Sequence, residues 1–240
     1  MRIHRAVLLC VLSLCPAAFA TDTWTQPFPG IKVLHRVTSA PLDVRVAVVD
    51  TCAPGVRVHV TTPSEGNRKP SQVQSLLNAE LLTNGDFADH DFGLNVGSGV
   101  SWGTPDTDHS GNVTIGNGGI AFYEDSALLP APEPWMTDVL GGRWSILSDG
   151  QPQYGIDDNG PAPGGFVCAP GLFHPRTAVG LSKDHRTLFM LVADGRQSFS
   201  RGMTCDEVID LFRELGAHWA LGLDGGGSST MVIKGQGVVN

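Results

Sequence analysis

The chain has 240 residues, 41% of them hydrophobic, enough for one sizeable buried core. Only 17% are charged, and 30 glycines with 16 prolines favour strands and turns over helical bundles. The net charge of -8, with no basic run, speaks against nucleic acid or an anionic membrane surface as partner.

The first twenty residues differ in character from the rest. Arg2 and Arg5 precede the apolar run AVLLCVLSLC, which is too short to span a bilayer, and Ala18 to Ala20 offers small residues where signal peptidase reads. Residues 1–20 are predicted to be a signal peptide cut after Ala20. The mature chain from Thr21 is then exported, periplasmic or secreted, with no membrane span. A lipoprotein site at Cys15 is disfavoured by bulky Leu14 before it and Pro16 after it. Cleavage leaves Cys52, Cys168 and Cys205. Three thiols in an oxidising compartment allow one bridge and leave one cysteine over, expected to be buried and inert.

Residues 21–30 read as a Pro-rich, extended lead-in. IKVLHRV and LDVRVAVVD read as strands, followed by a turn at TCAPG. In VRVHVTT, Val56, Val58 and Val60 alternate with Arg57 and His59, which predicts a half-buried strand. SQVQSLLNAE is a short helix, and LLTNGDF a buried strand ending in a turn. From Gly93 to Pro170 the chain is rich in Gly, Pro and Asp, with short strands such as VTIGNGGIAFY and WSILSDG. RTAVGLS, KDHR and TLFMLVADG then form a hairpin. Thr204 and Glu207 make a capping box, and Val208, Ile209, Leu211, Phe212 and Leu215 share one face of the helix that Gly216 ends. HWALGL is an apolar strand delivering Asp224, and STMVIKG starts another. With no repeat and no linker, one domain over residues 21–240 is expected.

The connection between those last two strands is GLDGGGSSTMV, Gly222 to Val232. Glycines let a ligand approach the backbone, and successive free N–H groups can form an anion nest. Ser228, Ser229 and Thr230 add hydroxyls, and Asp224 adds a carboxylate. The block is neither a P-loop, lacking Gly-Lys-Ser/Thr, nor a nucleophile elbow, lacking Gly-x-Ser-x-Gly. By composition alone a flexible turn weighs equally. HPRT (His174 to Thr177), DGR (Asp194 to Arg196) and NGDF (Asn84 to Phe87) also sit at strand ends; each alone is an ordinary turn. DTDHSGN (Asp106 to Asn112) starts like an EF-hand loop, but its twelfth position is Asn117, so it reads as an acidic turn. No HExxH, HxH or CxxC spacing occurs, and neither a metal nor a cofactor is expected.

Taken together, FHPRTAVGLSKDHRTLFMLVADGRQ, the capped helix and LGAHWALGLDGGGSSTMV resemble the phosphodiester glycosidase family. The resemblance is strongest from Phe173 to Ile233. It extends to LLTNGDF, similar to the family's Asn-Gly-Gly-Phe-Phe segment, and to LGGRWSILSDG (Leu140 to Gly150). That family includes the enzyme that uncovers mannose 6-phosphate by removing N-acetylglucosamine from a phosphodiester. The resemblance implies an α+β fold, a strand-rich single domain with mixed, twisted β-sheets and a few flanking helices. It implies a site gathering Asn84, Arg176, Thr177, Asp194, Arg196 and Asp224, with Gly225, Gly226, Ser228 and Ser229 shaping the pocket. Asp86 stands where the family more commonly has glycine. Family members continue past the position of Asn240 with a segment like Asn-x-Pro-Ser-Asp-Gly, a further arginine and a final strand, so a domain cut short at its C-terminus is expected.

The implied reaction is hydrolysis of the sugar C1–O bond in a glycosyl phosphodiester. Arginine's planar fork suits the phosphate, which points to Arg176 first and Arg196 second. Carboxylates suit the oxocarbenium-like sugar and the activation of water, which points to Asp194 and Asp224. Either aspartate is the base or nucleophile, and the competing reading makes Asp194 only a turn cap. Two rival functions stand beside this one. One is a non-catalytic envelope glycan or phospho-glycan binding module. The other is a metal-dependent phosphodiesterase, for which no carboxylate/His cluster is evident in the sequence.

Overall fold

The computed structural model describes residues 19–86, 94–102, 111–117, 119–123, 129–142, 144–153 and 171–240. The signal-peptide expectation, most of DTDHSGN, Phe87 and Cys168 fall outside the described residues. In chain order the elements are β1 (Ala20–Phe28), β2 (Ile31–Thr38), β3 (Leu42–Asp50), α1 (Pro70–Leu77), β4 (Leu81–Thr83), β5 (Val96–Gly97), β6 (Val100–Ser101), β7 (Gly111–Gly116), β8 (Gly119–Tyr123), β9 (Met136–Gly142), β10 (Trp144–Ser148), β11 (Gln151–Pro152), β12 (Arg176–Ser182), β13 (Thr187–Ala193), α2 (Cys205–Leu215), β14 (Ala217–Gly222), β15 (Met231–Ile233) and β16 (Gly237–Val238).

Eight strands form the main sheet, in the order β1-β2-β3-β13-β12-β14-β10-β11. A five-stranded sheet runs β6-β5-β9-β7-β8, and a three-stranded sheet β16-β15-β4. The architecture is strand-rich, as expected. The expected mixed sheets are corrected, because every pairing among the described residues is antiparallel. The reason lies in one crossover. β13 and β14 run in the same direction and are joined through α2, but β12 inserts between them and bonds to both. A unit that would otherwise place parallel strands side by side is thereby split.

The central strands of the main sheet are buried on both faces, which explains apolar runs such as TLFMLVA where alternation would mark a solvent face. Val44, Val46, Phe189 and Leu191 pack with Val208, Ile209, Leu211 and Phe212 of α2. Ala47, Val49, Leu188 and Val192 face the other way, into a core shared with Val113 of β7 and Met231 and Ile233 of β15.

α2 begins as its sequence predicts. The Glu207 N–H donates to Thr204 Oγ1 at 3.2 Å, and the Thr204 N–H donates to Glu207 Oε2 at 3.0 Å. Gly216 ends it at φ 97°. Arg201 also grips the Glu207 carboxylate, at 2.6 and 2.9 Å. Thr204→Ala is expected to cost about 1 kcal/mol of stability, read from urea unfolding midpoints. Arg36 of β2 ties the helix to the sheet edge by donating to both Asp22 and Glu214.

Three local expectations are refined or changed. Residues 21–30 are extended as expected but built into the main sheet: β1 pairs with β2 from Ala20↔Thr38 to Phe28↔Ile31, with a register shift between Thr25 and Phe28, where Pro27 falls. Residues 56–60 keep the alternating burial of the predicted strand, but 56–62 join no ladder among the described residues. The Val60 N–H donates instead to the buried carboxylate of Asp138 at 2.9 Å. Of the cysteines, Cys205 is disulfide-bonded and Cys52 is free. Cys52 is exposed rather than buried, because it sits in the turn after β3, where its N–H donates to Asp50 Oδ1.

Candidate functional site

Several chain segments meet at one end of the main sheet. Arg176, the first residue of β12, lies beside Ala193, the last of β13. β14 pairs Gly222 with Ala178, so Asp224 emerges at the same end. β4 pairs Thr83 with Met231, which sets Asn84 against Thr230. Antiparallel register therefore collects HPRT, DGR, NGDF and the glycine block, although 140 residues separate Asn84 from Asp224.

Asn84 is the knot that ties them. Its Nδ2 donates to the carbonyl of Asp224 at 2.7 Å and of Gly85 at 3.2 Å. Its Oδ1 accepts from Thr177 Oγ1 at 2.8 Å and from the Thr230 N–H at 3.0 Å. The amide thereby spends both donors and both acceptor positions on the scaffold. Thr177 is buried, and its hydroxyl is committed to Asn84, so it supports the site from beneath. Asp86 lies half-buried two residues beyond Asn84.

The glycine block closes into one 3-10 turn over Gly226–Ser228, pressed against the chain before β12. The Gly226 N–H donates to the carbonyl of Pro175 at 3.0 Å. A Cβ on Gly225 would stand 2.8 Å from that same oxygen, so alanine cannot fit without displacing the turn. Gly226 has φ +59°, and a Cβ there would stand 3.6 Å from Arg196 Nη1. The glycines thus let one backbone segment lie on another and bring a guanidinium over the turn. Ser229 Oγ is buried without a hydrogen-bond partner among the described residues.

Both candidate carboxylates are partly desolvated. Burial is the first cause raising the proton affinity of Asp224, opposed by hydrogen bonds from Ser228 and the Gly225 N–H. Burial likewise raises Asp194, helped by the negative charge of Asp43 and opposed by a hydrogen bond from Asn240 and by Arg45 and His35. The backbone of Asp194 is fixed to β3. Its N–H donates to the Asp43 carbonyl at 3.0 Å, and Ser200 Oγ donates to the Asp194 carbonyl at 2.7 Å while accepting from the Asp43 N–H at 3.0 Å.

The two arginines differ in commitment. Arg176 donates Nε to the Met203 carbonyl and Nη2 to the Leu172 carbonyl, and burial pushes its guanidinium down to about 10, still cationic at neutral pH. Arg196 is exposed, holds φ 58°, and donates Nη2 to His174 Nδ1 at 3.1 Å.

Asn240 escaped the sequence reading as a site residue. Its Oδ1 accepts from the Met231 N–H at 2.6 Å, and its Nδ2 donates to Ser229 O at 3.0 Å and Asp194 Oδ1 at 3.3 Å. It joins the glycine block to Asp194. The only available signal was its match to the first residue of the segment with which family members continue. Among the described residues, no three His, Cys, Asp or Glu side chains are grouped to hold a metal ion.

Comparison with known proteins gives the following. The family model described as phosphodiester glycosidase matches residues 59–240. The catalytic domain of zebrafish N-acetylglucosamine-1-phosphodiester alpha-N-acetylglucosaminidase, auto-inhibited by its pro-peptide, has a similar fold. Its TM-score is 0.61 at 18% identity, over 95% of this chain and 77% of that one. A hypothetical protein from Synechocystis aligns with TM-score 0.57 at 14% identity, over 88% of this chain and 59% of that one. An exported protein described as putative from Burkholderia pseudomallei aligns with TM-score 0.53 at 15% identity, over 86% and 73%. In sequence, a prophage-derived uncharacterized protein of Bacillus subtilis, YomE, is 40% identical over 67 residues, which span 28% of this chain and 10% of that protein.

Proposed function

The chain belongs to the phosphodiester glycosidase family, and from that premise we propose that it is an exported hydrolase of glycosyl phosphodiesters. The reaction breaks the sugar C1–O bond. Water supplies hydroxyl to C1, and the phosphodiester leaves as a phosphomonoester. The proposed sugar is N-acetylglucosamine, the one in the name of the zebrafish enzyme with a similar fold.

One observation carries this reading: two half-buried carboxylates with raised proton affinity stand at the sheet end that also holds two arginines. A phosphodiester glycoside needs both kinds of group. Arg196 suits the phosphate, because it is exposed beside the glycine turn, with Arg176 adding positive charge from behind. Asp224 and Asp194 suit the developing positive charge at C1 and the activation of water. Phosphate is already a good leaving group, so the site has little need of a strong general acid.

The test is product analysis on a panel of sugar-1-phosphodiesters. Free sugar and a phosphomonoester are expected; release of sugar phosphate would overturn the reading.

The pH dependence has a definite sign. The carboxylates work ionised, and burial raises both above the ordinary Asp value of about 3.9. The acid limb of kcat is therefore expected above that value, with activity falling as pH falls through it. Asn240 favours the ionised form of Asp194. Asn240→Ala should move the limb to higher pH. A pH–rate profile of the two proteins checks this.

A further inference from the structure

We infer that His174 is a positioning residue, holding Arg196 at the phosphate end of the pocket by accepting its hydrogen bond as a neutral imidazole. The inference rests on the proposed function for the identity of the bound anion. Its geometry is independent of that proposal.

Arg196 is an exposed arginine on a tight turn, with φ 58°, and the one side-chain partner it has among the described residues is His174 Nδ1 at 3.1 Å. A guanidinium has only donors. The bond therefore requires Nδ1 to be unprotonated, with the ring proton on Nε2. The main chain that carries the imidazole is firmly placed. His174 and Met203 exchange backbone hydrogen bonds at 3.2 and 2.9 Å. A Cβ on Gly195 would stand 2.6 Å from Pro175 N, so the turn bearing Arg196 lies directly on the chain that bears His174. The bond then keeps Arg196 near Gly226, where a Cβ would stand 3.6 Å from Nη1.

Protonation undoes this arrangement. An imidazolium would turn an N–H toward the guanidinium and set two cations against each other. The surroundings disfavour that state: burial first, then the charges of Arg176 and Arg196, lower the proton affinity of His174. Arg196 is thus preorganised at neutral pH and released in acid. A monoanionic phosphodiester does not titrate over that range, so a pH effect on its binding reports the protein.

The experiment measures equilibrium binding by calorimetry, using methyl α-N-acetylglucosaminyl phosphate as probe. All proteins carry Asp224→Asn, so that no turnover occurs. With His174 intact, affinity is expected to fall by about tenfold between about pH 7.5 and about pH 5, through a midpoint below the ordinary histidine value. His174→Phe should bind about tenfold more weakly at neutral pH, with the pH dependence gone. His174→Asn offers a carbonyl oxygen where Nδ1 stood and does not titrate. It should restore affinity to within about threefold and keep it flat with pH. Equal binding by the asparagine and phenylalanine variants would overturn the inference, as would a flat profile with His174 intact or no saturable binding at all. Sugar release by the chain with native Asp224 is measured in parallel. Binding with the expected pattern but no release refutes the hydrolase reading and leaves the role of His174 standing.

Discussion

Asp224→Asn is expected to lower kcat on a glycosyl phosphodiester by about three orders of magnitude or more, without loss of fold. The change removes the charge that would stabilise an oxocarbenium-like sugar or activate water, but keeps an acceptor oxygen of the same shape. That oxygen can still receive one of the hydrogen bonds that Ser228 and the Gly225 N–H now make to the carboxylate. The effect on stability has a sign. Burial raises the folded-state pKa of Asp224 above its unfolded value. The native protein therefore binds the proton more tightly than the unfolded chain. The stability this contributes is present below the unfolded pKa and is lost as pH rises through the folded pKa. At neutral pH the buried charge is a net cost, which asparagine removes. Thermal unfolding should show an unchanged or higher midpoint. Near-normal turnover in this variant would remove Asp224 from the mechanism.

Asn84→Ala is expected to damage fold and site together. The side chain makes four hydrogen bonds, to Asp224 O, Gly85 O, Thr177 Oγ1 and the Thr230 N–H. Alanine strands the buried Thr177 hydroxyl and leaves the glycine block joined to the end of β4 by backbone bonds, from the Asp224 N–H to the Gly85 carbonyl and from the residue-84 N–H to the Thr230 carbonyl. At about 1–3 kcal/mol for each buried group left unpaired, with water repairing part of the loss, a cost of about 3 kcal/mol is expected. Turnover should fall by at least about a hundredfold, because Asp224 is held through its own carbonyl. Asn84→Asp separates the two effects. It keeps the acceptor but sets a carboxylate oxygen against the carbonyls of Asp224 and Gly85, so it should be at least as damaging. Urea unfolding and turnover measured on both variants check this; a fully stable alanine variant would show that the knot holds little.

What could be read from the sequence was what neighbouring residues decide. The cap of α2 is set by Thr204 and Glu207, three positions apart, and its end by Gly216, so both were legible. The β12–β13 hairpin was legible because its turn, KDHR, is continuous with its strands. What failed were readings in which a distant group takes over a local one. Val60 has the alternation of a strand, but Asp138, 78 residues away, claims its N–H. Asn240 earned no role because its three partners lie on other segments of the chain. The mixed-sheet expectation failed for the same reason. Nothing local to β12 says that it will separate β13 from β14.

One inner ladder of the main sheet joins β3 to β13, and at one end of it Thr51 donates to the carbonyl of Arg186 across 135 residues of chain. Such a pairing must close a very long loop before it gains any contact, and a fold dominated by such contacts folds in milliseconds to seconds rather than microseconds. Asp194 is the residue immediately beyond that ladder, with its N–H on the Asp43 carbonyl. During refolding from urea, enzymatic competence should therefore return in the slowest major phase, together with closure of the β3–β13 seam. Amide protection in α2 and in the β12–β13 hairpin, whose contacts are local, should recover earlier in pulsed hydrogen exchange.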